Sequence, residues 1–310
     1  MANANFDQLL STTLANYRSQ LTDNVFTARP LTYTLMDKGR IRMLNGGTKI
    51  VEPLIYGENS TVASYSGYDS LALTPQEGIS AAEYDWKQYA ASIAISGIEE
   101  AKNNGEQEII NLLEAKIMQA EESMRESFNR MFFADGTGNS GKDWNGLGNL
   151  VESGNNVGGI DSNTWSYWRS KEDNTAGALT LAQMSSMYNS VSVGNDHPDT
   201  LLTTQTLFEK YEALLQPNLR YTDTKTADAG FQNLLFKAAP VMYDVHCTAG
   251  VFYFLNTKYI TLVGHSNKWF AQTDFIKPED TDARYALIMC YGNLTVRNRA
   301  KQGKLTAKTA

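Results

Sequence analysis

Apolar residues recur at two periods along this chain, and the change of period marks its parts. Ile109, Leu113, Ile117, Ala120, Met124, Phe128 and Met131 follow one another at steps of three and four, the spacing that lays side chains along one stripe of a helix. Asn104, with Gln107 three positions later, makes a capping-box pair ahead of the stripe, and Gly136 supplies a stop behind it. The helix predicted over residues 106–133 is roughly 40 Å long at ~1.5 Å per residue. Glu106, Glu108, Glu114, Glu121, Glu122 and Glu126 fall on its wetter sides.

Upstream the pattern loosens. Phe6, Leu9, Leu10, Thr13, Leu14 and Tyr17 have helical spacing, which predicts a short amphipathic helix. An extended arm with turns is predicted to follow, through Arg29-Pro30 and Asn45-Gly46-Gly47. Residues 48–56 read as a strand and residues 83–96 as a second, longer one. Between them, residues 57–80 are dominated by Ser, Thr, Gly and Tyr with single aliphatics. The prediction is a long β-ribbon with an irregular tip. An isolated two-stranded ribbon is marginally stable in water, and structureless connections beyond about 15 residues are uncommon in a compact domain. The ribbon needs outside support, and a neighbouring subunit is its simplest source.

Residues 136–177 are rich in Gly, Asn, Ser and Asp, with Trp144, Trp165 and Trp168 interspersed. Helical spacing returns at 179–193 and at 205–215 before Pro217, with a short strand predicted at 200–204. From Val241 the period is that of strands, predicted at 241–247, 251–255, 259–263, 268–275, 285–291 and 294–299. No internal repeat and no low-complexity tract is present.

Composition narrows the class. At 310 residues, 42% hydrophobic and 20% charged, the chain can bury a substantial core in one large domain or two ordinary ones. No run approaches the ~18 apolar residues of a membrane helix, and the first seven residues lack the basic patch and apolar segment of a signal peptide. Cys247 and Cys290 form neither a metal-spacing pair nor a disulfide framework. Folding in a cytoplasm is the expectation. A net charge of −7 opposes a broad nucleic-acid-binding face, yet suits a container, because an acidic wall holds a polyanion only weakly.

Several constellations could carry chemistry. Residues 136–142 fit G-x-x-x-x-G-K, but Asp143 stands where a phosphate-binding loop needs Ser or Thr. The motif also follows a helix instead of a strand, so a helix-ending loop is expected. Asp135, Thr137, Asn139 and Asp143 alternate as in a calcium loop, with Ser140 and Gly146 in place of its glycine and glutamate. His197, His246 and His265 have no carboxylate or second histidine at ligand spacing, and His246 and Cys247 are expected on opposite faces of a strand. No G-x-S-x-G elbow occurs. The pairs Glu99-Glu100 and Glu121-Glu122 point about 100° apart on a helix and read as solvated faces. Arg297, Arg299, Lys301, Lys304 and Lys308 make a basic tail with no acid after Asp282, suited to DNA or to an acidic surface of a neighbouring subunit. No residue is assigned a catalytic, cofactor-binding or metal-binding role.

The order of these parts resembles the Hong Kong 97-like major capsid proteins of tailed bacteriophages. Phe132-Phe133-Ala134-Asp135-Gly136-Thr137-Gly138 followed by Trp144-Asn145-Gly146-Leu147 is similar to that family's exit from its spine helix. Leu201-Leu202-Thr203-Thr204-Gln205-Thr206-Leu207 resembles its strand-to-helix step, and Ala239-Pro240-Val241 its G-x-P-V turn, with Ala for Gly. The resemblance implies an α+β fold: an N-terminal arm (1–47), an extended β-ribbon loop (48–97), a peripheral domain (98–150 and 265–300) holding the spine helix 106–133, an α/β axial domain (151–264) and a C-terminal tail (301–310). It implies a subunit that self-assembles through pentamers and hexamers into an icosahedral head enclosing double-stranded DNA, in a virion assembled in the host cytoplasm. The implied partners are a separate scaffolding protein, a portal protein and a decoration protein; no cofactor, membrane or enzymatic activity is implied. Some members of this family crosslink a loop lysine to a neighbour's asparagine with a glutamate as base. Here Lys49 and Lys87 sit at the ribbon base, Asn293 and Asn298 offer amides, and only Asp280 and Asp282 follow Glu279, so non-covalent shells are expected. The alternatives are an encapsulin-like compartment of the same fold, a soluble hydrolase with a distributed site, and a tail-tube subunit.

Overall fold

The computed structural model describes residues 29–102, 112–215 and 234–310. The amphipathic stretch predicted at 6–17, the Asn104/Gln107 capping pair and the first turns of the predicted long helix lie outside these residues.

The first described element is a helix, α1 (Pro30–Asp37), where an extended arm was expected. Pro30 is preorganised for a first helical position, and Leu31 and Leu35, one turn apart, are fully buried. Three strands follow, β1 (Ile41–Leu44), β2 (Ile50–Ile55) and β3 (Ile79–Tyr84). β2 and β3 pair antiparallel from Ile50↔Tyr84 to Ile55↔Ile79 and make the ribbon. The return strand predicted over 83–96 is therefore two elements. Its larger part, β4 (Lys87–Ser96), leaves the ribbon and runs for ten pairs beside the strand Ala283–Val296.

Two helices come next, α2 (Gly97–Lys102) and the long α3 (Leu112–Phe133). Met124, Phe128 and Met131 of the predicted stripe are buried, joined by Phe132 and Phe133. The chain turns at Gly136, whose φ is +76° and where a Cβ would stand 3.1 Å from the Trp144 carbonyl; only glycine satisfies both demands. Beyond it lie β5 (Lys171–Asp173), α4 (Leu181–Val191), β6 (Thr200–Thr203), α5 (Gln205–Leu215), β7 (Leu234–Phe236), β8 (Ala239–Tyr243) and β9 (Phe252–Leu255). The chain ends through β10 (Ile260–His265), β11 (Ala271–Gln272), β12 (Ala283–Val296) and β13 (Gly303–Leu305).

Two sheets organise the molecule. One has the order β1-β10-β12-β11, with β4 also paired to β12; the second has the order β7-β8-β6-β9-β13-β5. Two expectations about the late strands are corrected. The strands expected at 285–291 and 294–299 are the single β12, because Gly292 continues the ladder where a side chain would strike the Val263 carbonyl at 2.2 Å and the Trp144 ring at 2.8 Å. The strand expected at 268–275 shrinks to Ala271–Gln272.

The six-stranded sheet is buried on both faces, which is why its strands read as unbroken apolar runs and not as alternation. Leu201, Val241, Phe252, Phe254 and Leu305 face one core, closed by Met184, Met187 and Val191 of α4 and Leu207 and Phe208 of α5. Their sequence neighbours Leu202, Met242, Tyr253 and Leu255 face the other core, shared with α3, β12 and the ribbon base. Among the described residues, no helix is long and apolar enough to cross a membrane.

Candidate functional site: an uncovered ribbon beside a clamped spine

The ribbon is two-faced because successive strand residues point to opposite sides. Ile50, Glu52 and Leu54 of β2 and Ala82 and Tyr84 of β3 pack inward, and the Tyr84 hydroxyl donates to the Val296 carbonyl at 2.8 Å. The outer face carries Ile55 and Ile79, 83% and 78% exposed and directly opposite one another. Between the strands the chain makes an excursion without regular structure. Val62, Tyr65, Tyr68, Leu71 and Leu73 all lie exposed along it. Its two ends meet where Tyr56 N donates to the Gly78 carbonyl at 2.9 Å. The base is fixed by the Lys49–Glu83 ion pair at 2.8 Å and by Tyr56 stacked on Tyr167, centroids 4.9 Å apart. A firmly anchored arm thus presents an apolar surface that no described part of its own chain covers.

Polar and charged groups tie α3 to Arg29, just before α1, and to the turn after β8. Glu126, expected on a wetter side, is buried: one oxygen pairs with His246 and the other lies 3.4 Å from Arg29. Arg29 also donates to Glu122 at 2.7 Å. One turn further, Asn129 donates to both oxygens of Asp244 at 3.0 Å, and His246 N donates to the same carboxylate at 2.9 Å. Burial lifts the Asp244 pKa above the ordinary aspartate value, against the pull of these donors and of His246. His246 and Cys247 belong to the turn after β8, since that strand stops at Tyr243. The opposite-face expectation for them falls away. Sequence offered no signal for this cluster, whose members are far apart in the chain. Pro30 with Leu31 and Leu35, by contrast, is a legible helix start that the arm reading passed over.

The remaining candidates are dispersed. Glu99 is buried; burial alone would raise its pKa, but the Ser96 N–H and Lys116 outweigh that and hold it low. Residues 136–143 form a helix-ending turn in which Asn139 and Ser140 take positive φ and Asp135 accepts from Thr137. His197 lies against Tyr188, and His265 edge-on to Trp86. Among the described residues no group of three or more His, Cys, Asp or Glu is placed to hold a metal ion.

The basic tail is spent internally, which corrects its reading as a DNA or neighbour contact. Arg299 is fully buried, its guanidinium donating to the Leu150 and Glu152 carbonyls and to Asn155, and burial lowers its pKa to about 10. Lys304 pairs with Glu152 at 2.7 Å and Glu172 at 3.5 Å, and Lys308 donates to the Thr175 carbonyl. Residues 303–305 are the strand β13 inside the six-stranded sheet.

Comparison with solved structures gives the fold a name. The chain is similar to the capsid protein of Cyanophage A-1(L), with a TM-score of 0.72 at 15% identity, over 96% of this chain and 98% of that one. It is similar to the SrpI encapsulin of Synechococcus elongatus PCC 7942, with a TM-score of 0.61 at 11% identity, over 94% and 92%. It is also similar to the capsid protein of Myoviridae phage XM1, with a TM-score of 0.56 at 11% identity, over 94% and 95%. Identities this low are likenesses of fold, and the fold is Hong Kong 97-like. No curated protein matches the sequence. The model of one protein family, described as SU10 major capsid protein, matches residues 89–309. With more than two thirds of its length matched, from β4 to the last residues of the chain, this protein belongs to the SU10 major capsid protein family of tailed-phage shell subunits.

Proposed function

We propose that this icosahedral shell subunit assembles through rings of six and five copies, with residues 48–97 as the strap that each copy lays on the next. The uncovered apolar excursion of the ribbon carries this reading. An arm that exposes Leu73 at 92% and Val62 at 83% together with Tyr65, Tyr68 and Leu71 is costly to leave in water, and such a concentration of exposed apolar side chains supports an interface there. Because the strap and its landing surface are different patches, the contact is heterologous, the kind that closes into rings when the rotation between copies allows. In the same reading residues 98–150 and 265–300 form the peripheral domain and 151–264 the axial domain whose tips meet at the ring centres. The particle encloses double-stranded DNA without gripping it, as a net charge of −7 and an internally neutralised tail favour. A separate scaffold, a portal and a decoration protein complete the head, which is built in the host cytoplasm, and the subunit works through shape and not catalysis. Sizing the chain with and without residues 58–77 tests this: closed particles from the parent, and folded subunits or small oligomers from the variant.

A further inference from the structure

We propose that the outer edge of β3, at Ile79 and Ala81, is a docking site for an extended, lysine- or arginine-bearing segment of a second protein, which pairs there as a third strand of the ribbon. In an antiparallel pair, successive residues turn their backbone groups alternately toward and away from the partner strand. One step beyond the Ile55↔Ile79 pair, Tyr56 N donates to the Gly78 carbonyl at 2.9 Å. The alternation then points the N–H and C=O of Ile79, Ala81 and Glu83 outward. The Glu83 N–H shows the same phase, since it donates away from β2 to the Gly158 carbonyl at 2.9 Å. Among the described residues, no backbone group pairs with the outward side of Ile79 or Ala81.

The two edges of the ribbon differ. β2 places Pro53 opposite Ala81 on its own outer edge, and a proline, having no N–H, blunts that edge against pairing. β3 has neither proline nor lysine. The tip of the hairpin at residues 156–161 supplies one rung to β3 and folds back; a Cβ on its Gly158 would stand 2.7 Å from the Ala82 Cβ. Beyond that rung lies a recess of about 390 Å³, lined by Ile79, Ala81, Glu83, Tyr56, Trp165 and Tyr167. Trp165, 47% exposed, lies 6.1 Å from Tyr56 and 5.8 Å from Tyr167, centroid to centroid. Aromatic faces attract a cation, and the half-exposed Glu83 carboxylate keeps lone pairs beyond those that Lys49 takes. From Val51 to Trp86 the ribbon carries six acids and no lysine or arginine. Open rungs, ring faces and negative charge together fit a basic strand, added by main-chain pairing. This chain's late cations are already paired within the fold, Lys301 with Asp196 and Lys304 with Glu152, so the strand is assigned to a different protein.

The test titrates the full-length chain with a labelled, end-capped peptide of alternating lysine and valine and follows its fluorescence anisotropy. Saturable binding is expected, with none by a peptide of alternating glutamate and valine. Ala81→Pro removes an outward N–H without touching the β2–β3 ladder, as Pro53 does on the other strand. It should weaken binding about tenfold, the worth of one or two hydrogen bonds, at an unchanged melting temperature. Trp165→Ala, and methylation of the peptide's backbone nitrogens, should weaken it similarly and decide the matter if Ala81→Pro fails to fold. In particles of this chain alone, the amides of Ile79 and Ala81 should exchange their hydrogens freely. Absent binding, equal binding of the glutamate peptide, or binding indifferent to these changes would overturn the proposal. Protection of both amides in such particles would give the edge to another copy and overturn it too. The edge lies outside residues 58–77, and none of these results bears on whether the chain closes a shell.

Discussion

Met124 sits 1% exposed on the buried stripe of α3, in the core shared by the helix, both sheets and the ribbon base. Met124→Asp would bury a carboxylate with no partner, a cost of about 4 kcal/mol or more. The expected outcome is loss of soluble subunit; a variant melting within a few degrees of the parent would mean the buried face is wrongly assigned. Asp244 poses the opposite case. Its folded-state pKa is raised, chiefly by burial, so the folded state binds that proton more tightly than the unfolded chain. The stability so gained is present below the unfolded value of about 3.9 and is lost as pH rises through the folded one. Asn129 has a buried Oδ1 without a partner beside it. In Asp244→Asn, a flipped Asn129 amide can accept from the new side chain while His246 N keeps its acceptor. The variant's melting temperature relative to the parent should therefore be higher at pH 7 than at pH 4, and a relative loss on going to pH 7 would contradict the assignment. The residues of the helical stripe were legible from their period. The Glu126–His246 and Asn129–Asp244 contacts were not, because they join positions more than a hundred residues apart and leave no local spacing to read.

The ribbon excursion begins and ends at glycines that nearly touch. A Cβ on Gly78 would lie 2.9 Å from the Gly57 carbonyl, and the flanking Tyr56 N already bonds to the Gly78 carbonyl. Excising residues 58–77 joins Gly57 to Gly78 and leaves Tyr56, Gly57 and Gly78 between the paired Ile55 and Ile79, a three-residue hairpin connection with glycine at hand for its left-handed position. The inward face of β2 and β3 stays intact. The shortened chain should keep the parent's circular dichroism spectrum and melting temperature while stopping at small oligomers. Closed particles of parental diameter would remove the excursion from the intersubunit contact. At this scale the strands of the ribbon and of the double-faced sheet were visible as apolar runs with turn residues between them. The departure of β4 from the ribbon was hidden, because its partner β12 lies near the far end of the chain and pairing at that distance has no sequence period. α1 was missed for a different reason: eight residues with two buried leucines make too short a pattern to outweigh the loose arm around them.

The whole molecule divides its charges in a way that bears on maturation. Asn293 is fully buried, its Oδ1 accepting from Asn145 N and its Nδ2 donating to the Asp85 carbonyl. Lys49 is held by Glu83, whose hydrogen bond and charge raise its pKa. An amide locked in this way and an amine kept protonated are poor reactants for an isopeptide bond, so mature shells are expected to be non-covalent. Boiled in detergent with reductant they should run as one band near 34.4 kDa, and a ladder of multimers would contradict that. The order of arm, ribbon, long helix and late strands carried the family resemblance in the sequence, since these parts differ in period and composition. The fate of the C-terminal cations did not show there, because their partners Glu152, Glu172 and Asp196 come from the middle of the chain. In the proposed assembly, copies of this chain close a shell through one another's ribbons. Electron microscopy of the chain, expressed alone and together with the product of the gene upstream of its own, tests it most directly. Closed icosahedral particles, with rings of five and six as their precursors, are the predicted result; monomers or dimers under both conditions would contradict it.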